Sequence, residues 1–137
     1  MNKFKQDLKF GENKEILIKP LLENKFNCTL TKTKNYCKVD FIDDDKKIIF
    51  ELKGRKCSKN RYPDTMIGYN KVLYCLDKIK EGYTVYFIFS FTDNNCYYEF
   101  TNTNHNISWK GRRGREDRGR PEYNQYYNIP ISELIDF

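Results

Sequence analysis

A chain of 137 residues with 25 Lys and Arg against 19 Asp and Glu carries a formal net charge of +6, and has room for one domain with a sizeable core but not for two. It holds no apolar run of membrane-spanning length, and its opening MNKFKQDLKF lacks the unbroken apolar core of a secretion signal, so a soluble, intracellular protein is expected. Cys28, Cys37, Cys57, Cys75 and Cys96 form no C-x-x-C pair and His105 is the only histidine, which excludes a zinc cluster, a disulfide framework and a histidine-based nucleophile.

From about Asn13 to Lys25, Leu17, Ile18, Leu21 and Leu22 recur at helical spacing and predict a helix lying on a sheet. Pro20 removes a hydrogen bond and crowds the carbonyl of Ile16, so the helix is expected to kink or to break there. Glu12 and Glu15 suit the positive end of the helix dipole. Phe26 to Thr33 alternates, is rich in Thr and reads as an outer strand.

Tyr36 to Arg55 reads as a β-hairpin around the polar turn DDDKK. Cys37, Val39 and Phe41 alternate with Lys38, Asp40 and Ile42, and Ile48, Phe50 and Leu52 alternate with Ile49, Glu51 and Lys53. Glu51 and Lys53 therefore share one face, joined by Asp40 if the register sets it opposite Glu51 or two residues away. Two carboxylates and an ammonium within apolar strands are costly to bury unless something binds there, and a divalent cation fits. The bland alternative is a surface salt-bridge ladder. Asp43, Asp44 and Asp45 read as turn residues.

Gly54 to Pro63 is a basic connector containing Arg55, Lys56, Lys59 and Arg61. Pro63 or Asp64 is expected to open a second helix with Met66, Tyr69, Leu73, Leu76 and Ile79 on one face, closed by Gly82. Tyr83 to Thr92 is a near-continuous apolar strand for the centre of a mixed sheet, with Tyr86, Phe87, Phe89 and Phe91 as core. After a turn at Asp93, Asn94 and Asn95, Cys96 to Thr101 returns antiparallel. Asn102 to Tyr123 reads as a Gly- and Arg-rich loop; between Lys110 and Arg120 it holds six basic residues against two acids, most of the net charge. Such a loop suits a phosphate backbone, or is simply solvated. Tyr126 to Phe137 offers a short apolar strand and a final turn.

The hairpin resembles that of the PD-(D/E)XK nuclease superfamily. Asp40 matches its first acid and Glu51-Leu52-Lys53 its second motif, with Val39 where a Pro often stands. The block from Tyr62 to Lys71 is similar to one in small nuclease-like proteins of large DNA viruses. The resemblance implies a restriction-endonuclease-like α/β fold, a central mixed sheet flanked by helices in the order α-β-β-β-α-β. It implies Mg²⁺ or Mn²⁺ held by Asp40, Glu51 and the carbonyl of Leu52, with Lys53 orienting the attacking water. Glu15, or Glu12 in its place, corresponds to an assisting acid of the first helix. Tyr62, Thr65 and Lys71 would face the cleft, although Tyr62 also reads as a helix staple and Lys71 as a solvated residue. Arg55, Arg61, Arg112, Arg113 and Arg115 would contact the nucleic acid. The implied activity is hydrolysis of DNA in viral or mobile-element processing, in host cytoplasm, nucleus or virion; RNA is not separated from DNA by these residues. The alternative is a non-catalytic nucleic-acid-binding or assembly protein on the same fold. So small a domain also leaves room for a homodimer.

Overall fold

The computed structural model describes residues 3–32, 40–101, 107–112 and 122–137, with backbone alone for 3–4, 7–8, 11–12, 107–112 and 122–124. The first helix, α1, runs unbroken over Lys3–Phe26 with Pro20 inside it, longer than expected and in one piece. The reason lies in exposure: Pro20 is on the solvent side, and Ile16, whose carbonyl loses its partner, is 72% exposed, so water can serve that oxygen. Ile18 and Leu22 are buried, whereas Leu17 and Leu21 face outward, so the apolar stripe is half as wide as read.

Helix α1 continues through Phe26, where an outer strand was expected, because the Phe26 ring packs 5.1 Å from that of Phe50 and 4.5 Å from that of Tyr86. Asn27 then ends it in the left-handed region at φ 49°. Glu23 fixes the exit, its carbonyl accepting from Cys28 N–H at 3.2 Å and its carboxylate from Leu30 N–H at 2.9 Å. Only Thr31–Lys32 (β1) remains as strand.

The hairpin forms from Phe41–Asp43 (β2) and Ile48–Gly54 (β3), while Tyr36, Cys37, Lys38 and Val39 lie outside the described residues. Asp44 and Asp45 are turn residues as read, whereas Asp43 is the last residue of β2, opposite Ile48, and braces the turn by accepting from Lys46 N–H at 3.0 Å and Thr29 N–H at 3.1 Å. Asp64–Gly68 is a strand, β4, and not the start of a helix, which begins only at Tyr69 (α2, Tyr69–Lys80). Thr65 and Ile67 alternate inward there, a period of two that the helical reading of Met66 overlooked. Gly82, at φ +96°, closes α2 as its position predicted.

Thr84–Ser90 (β5) and Asn95–Phe100 (β6) follow the expected pattern. Ile107–Arg112 (β7), inside the stretch Asn102 to Tyr123 read as a loop, pairs antiparallel with Glu122–Pro130 (β8), which begins in that stretch and runs on into the short apolar strand expected from Tyr126. Ile135–Asp136 (β9) docks the tail against β6.

Two sheets result. A six-stranded mixed sheet has the order β1-β2-β3-β5-β6-β9, with β3 and β5 parallel at its centre, and a three-stranded sheet has the order β4-β8-β7. Alternation along β3 divides the core. Phe50 and Leu52 join Ile18 and Leu22 of α1 on one face, whereas Ile49 joins Val72 and Cys75 of α2 and Ile67, Tyr127 and Ile129 of the smaller sheet on the other. This is the flanked mixed sheet that the resemblance implied, enlarged by a second sheet that it did not. No described helix is long and apolar enough to cross a membrane.

Phe50 locks the α1 face: it is fully buried and stacks on Tyr86 at 5.4 Å. Phe50→Ala is expected to cost about 3–5 kcal/mol, read as a lower midpoint in urea denaturation. An unchanged midpoint would remove the ring from the core.

Candidate active site

The face of β3 that meets α2 carries the charges. Glu51 is fully buried at the centre of the strand, across from Phe87 of β5. Lys53, two residues on and on the same face, lies 3.5 Å from Glu51 Oε1 and is 29% exposed. The β2–β3 ladder ends at Phe41 opposite Phe50, and one further step of that register sets Asp40 opposite Glu51. Asp40 N–H still donates to Phe50 O at 3.2 Å, and Asp40 Oδ2 accepts from Leu52 N–H at 2.7 Å, so a side chain completes the ladder where backbone pairing stops. Phe41 points to the α1 face, hence Asp40 points to the other.

From α2 comes Lys71, whose Nζ donates to Glu51 Oε1. Two carboxylates and two ammonium groups thus converge. Burial first and Asp40 second raise the Glu51 carboxyl, and although Lys53 and Lys71 act against both, it is pushed up to about 7. Burial lowers Lys53 below an ordinary lysine, against the pull of Glu51 and with help from Lys71 and Arg55. Lys71 is raised, because Glu51 and Asp40 outweigh a burial that works the other way. The thiol of Cys75, one turn along α2 from Lys71, is pushed up to about 12 by burial and by Glu51.

The other residues named from sequence are spread more widely. Glu15 Oε2 lies 2.7 Å from Lys32 Nζ, an ion pair without hydrogen-bond alignment. Lys32 is the cross-strand neighbour of Phe41 on the α1 face, and Glu15 is not among the groups that shift Glu51. The side chain of Glu12 lies outside those described, as does that of Arg112, whose backbone is in β7; Arg113, Arg115 and His105 lie outside the described residues altogether.

Arg55 ties the site to the smaller sheet. Its Nε donates to Thr65 Oγ1 at 3.2 Å, its Nη2 to Met66 O at 2.6 Å, and its guanidinium sits 5.7 Å from the centre of the Phe89 ring. Arg55 and the buried Thr65 also line a groove of about 570 Å³ with Tyr62, Met66, Phe91 and Ile131. Tyr62 is 58% exposed there, its ring 5.5 Å from the Arg61 guanidinium. The block from Tyr62 to Lys71 is therefore divided: Lys71 stands at Glu51, and Tyr62 and Thr65 line the neighbouring groove.

Whether this site suits a divalent cation is decided by its oxygens. Glu51 Oε2 is buried with no hydrogen-bond partner, a costly state for a carboxylate oxygen and one that a cation would relieve. The donors at hand are hard oxygens, those of Asp40 and Glu51 with the carbonyl of Leu52 between Glu51 and Lys53, a set suited to Mg²⁺ or Mn²⁺. No group of three or more His, Cys, Asp or Glu gathers among the described residues, so water would complete the coordination. The residues present fit such an ion.

A mixed sheet flanked by helices, with an acid immediately before one strand and Glu-x-Lys on the neighbouring central strand, defines a PD-(D/E)XK nuclease-like protein. The chain belongs to the family described as "phage putative PDDEXK endonuclease", which it matches over residues 7–136, nearly its whole length. Comparison with curated proteins and with solved structures gave no match. Nucleases of this superfamily usually employ divalent metal ions, and their substrates are nucleic acids.

Proposed function

We propose that the protein is a Mg²⁺- or Mn²⁺-dependent endonuclease that hydrolyses phosphodiester bonds in DNA during phage or mobile-element DNA processing. The observation that carries this reading is the buried, unpartnered Oε2 of Glu51 beside Asp40 and Lys53. Asp40, Glu51 and the Leu52 carbonyl would hold the cation. When bound, it supplies a lowered pKa for water and positive charge for the transition state.

The chain's own residues do the rest. The Asp40 carboxylate is held in place by Leu52 N–H, so it is oriented before any ligand arrives. Lys53 keeps an ammonium 3.5 Å from Glu51 and partly open to solvent, able to position a water by hydrogen bonding and to oppose the charge that builds on the phosphoryl oxygens. Burial also makes this lysine give up its proton more readily than an ordinary lysine does. Arg55, anchored on Thr65 and Met66, places a fixed positive charge beyond Lys53 along the course of a phosphate backbone.

The test is incubation of the purified chain with supercoiled, linear and branched DNA and with RNA, in Mg²⁺, Mn²⁺ or EDTA. Cleavage of DNA that EDTA abolishes is expected. DNA that is bound but left intact in every metal would favour the non-catalytic binder, and cleavage confined to RNA would change the substrate class.

A further inference from the structure

Lys71 occupies an unusual place for a lysine. It lies in the first turn of α2, where the helix dipole disfavours a cation, and that turn contains no acid of its own. Its counter-charge comes from across the core: Nζ donates to Glu51 Oε1, while Asp40 also raises its pKa. Without Lys71, Lys53 alone would face two carboxylates, and it sits the longer distance of 3.5 Å from Glu51.

The charges have a simple arithmetic. With Glu51 ionised, Asp40 and Glu51 are balanced by Lys53 and Lys71, so these four groups sum to zero. A divalent cation on the two carboxylates would leave the site at about twofold positive, which matches the dianionic phosphoryl group of a phosphodiester transition state. A cation approaching Glu51, however, meets an ammonium already bonded to one of its two oxygens. Lys71 is 33% exposed, so its side chain borders solvent while Glu51 is fully buried.

We propose that Lys71 is the resident counter-cation of this metal site: it holds the Glu51 carboxylate when no divalent ion is bound, gives up that oxygen when one enters, and thereby sets the metal affinity. This inference rests on the metal-dependent reading above. It makes Lys71 a positioning residue that acts on Glu51, in addition to any contact with nucleic acid. The cost of the device is weaker metal binding; its return is a folded, oriented Glu51 before metal arrives.

The test is Mn²⁺ titration by calorimetry at pH 8.5, where Glu51 is ionised, on the wild-type chain and on Lys71→Met, Lys71→Arg and Lys80→Met. Lys80→Met removes the same charge from an exposed position at the far end of α2. Lys71→Met is expected to bind Mn²⁺ about tenfold more tightly, by removal of a nearby like charge. Lys71→Arg and Lys80→Met should stay within about twofold of wild type, since a cation is kept in the first and a remote one lost in the second. Thermal melts in EDTA supply a second readout: Lys71→Met should melt lower than Lys80→Met and gain more from added Mn²⁺. If wild type binds Mn²⁺ and Lys71→Met binds it equally or less tightly, the counter-cation role is overturned while the metal site stands. If none of the proteins binds Mn²⁺, the metal site itself is overturned. Should Lys71→Met fail to fold, Lys71→Gln carries the same expectation.

Discussion

Asp40→Asn and Lys53→Ala are each expected to slow metal-dependent cleavage of DNA by about 10²–10³-fold, the loss typical of removing one charge or donor aimed at a transition state. The two changes act differently. Asn at position 40 retains an oxygen that can accept from Leu52 N–H, so the β2–β3 ladder and the fold should survive while one of two anionic ligands is lost. Metal affinity should fall with it. Ala at position 53 leaves both carboxylates in place but removes the ammonium 3.5 Å from Glu51, so metal should still bind and turnover should suffer most. Initial rates on a labelled duplex, with circular dichroism and Mn²⁺ titration for each variant, separate the cases. An Asp40→Asn protein that cleaves within threefold of wild type would sink the assignment of Asp40 as a ligand, and an equally active Lys53→Ala would free Lys53 from the chemistry.

These residues were readable from sequence because a strand's period of two needs no tertiary information. Once Ile48, Phe50 and Leu52 are assigned inward on one face, Glu51 and Lys53 must share the other, and the structure places them so. The position of Asp40 followed less directly, since its face depends on a register that the turn at Asp43 sets through Thr29 and Lys46. The smaller sheet was not legible. Asp64 to Gly68 passes into α2 without a break, and its strand character is fixed by pairing with residues 126–130, a partner some 60 residues away. Likewise β7 and the start of β8 consist of polar, basic and aromatic residues whose alternation is weak, so composition read as loop what backbone pairing makes strand, whereas the apolar end of β8 from Tyr126 was legible. Helix α1 outran its predicted start because Lys3 to Asn13 carries little apolar periodicity, and its single-piece form depends on where Pro20 faces, a property of packing. Lys71 was noticed in its block, but nothing local signals that its partner is Glu51, twenty positions back on another element.

Metal binding should weaken about tenfold for each pH unit lost below about 7, and level off above it, because a proton and a cation compete for Glu51. The sign follows from the raised carboxyl. Glu51 titrates near 4.5 in the unfolded chain and at about 7 in the folded one, so between those values the folded state binds a proton that the unfolded state does not. In EDTA, stability should therefore decrease as pH rises from about 5.5 to 7.5, opposite to the usual carboxylate trend. The depressed carboxyls of Glu23, Asp43 and Asp136 oppose this only at more acidic pH, below the ordinary carboxylate range, and leave the window clear. Added Mn²⁺ should reverse the slope, since the ion stabilises the ionised form and its effect grows as the proton is lost. Melting temperature against pH, in EDTA and in saturating Mn²⁺, gives two curves that diverge toward pH 7.5. Glu51→Gln, which has no proton to lose, should bring them together. Curves that stay parallel from pH 5.5 to 7.5 in the wild-type chain would show that Glu51 is not where the ion binds.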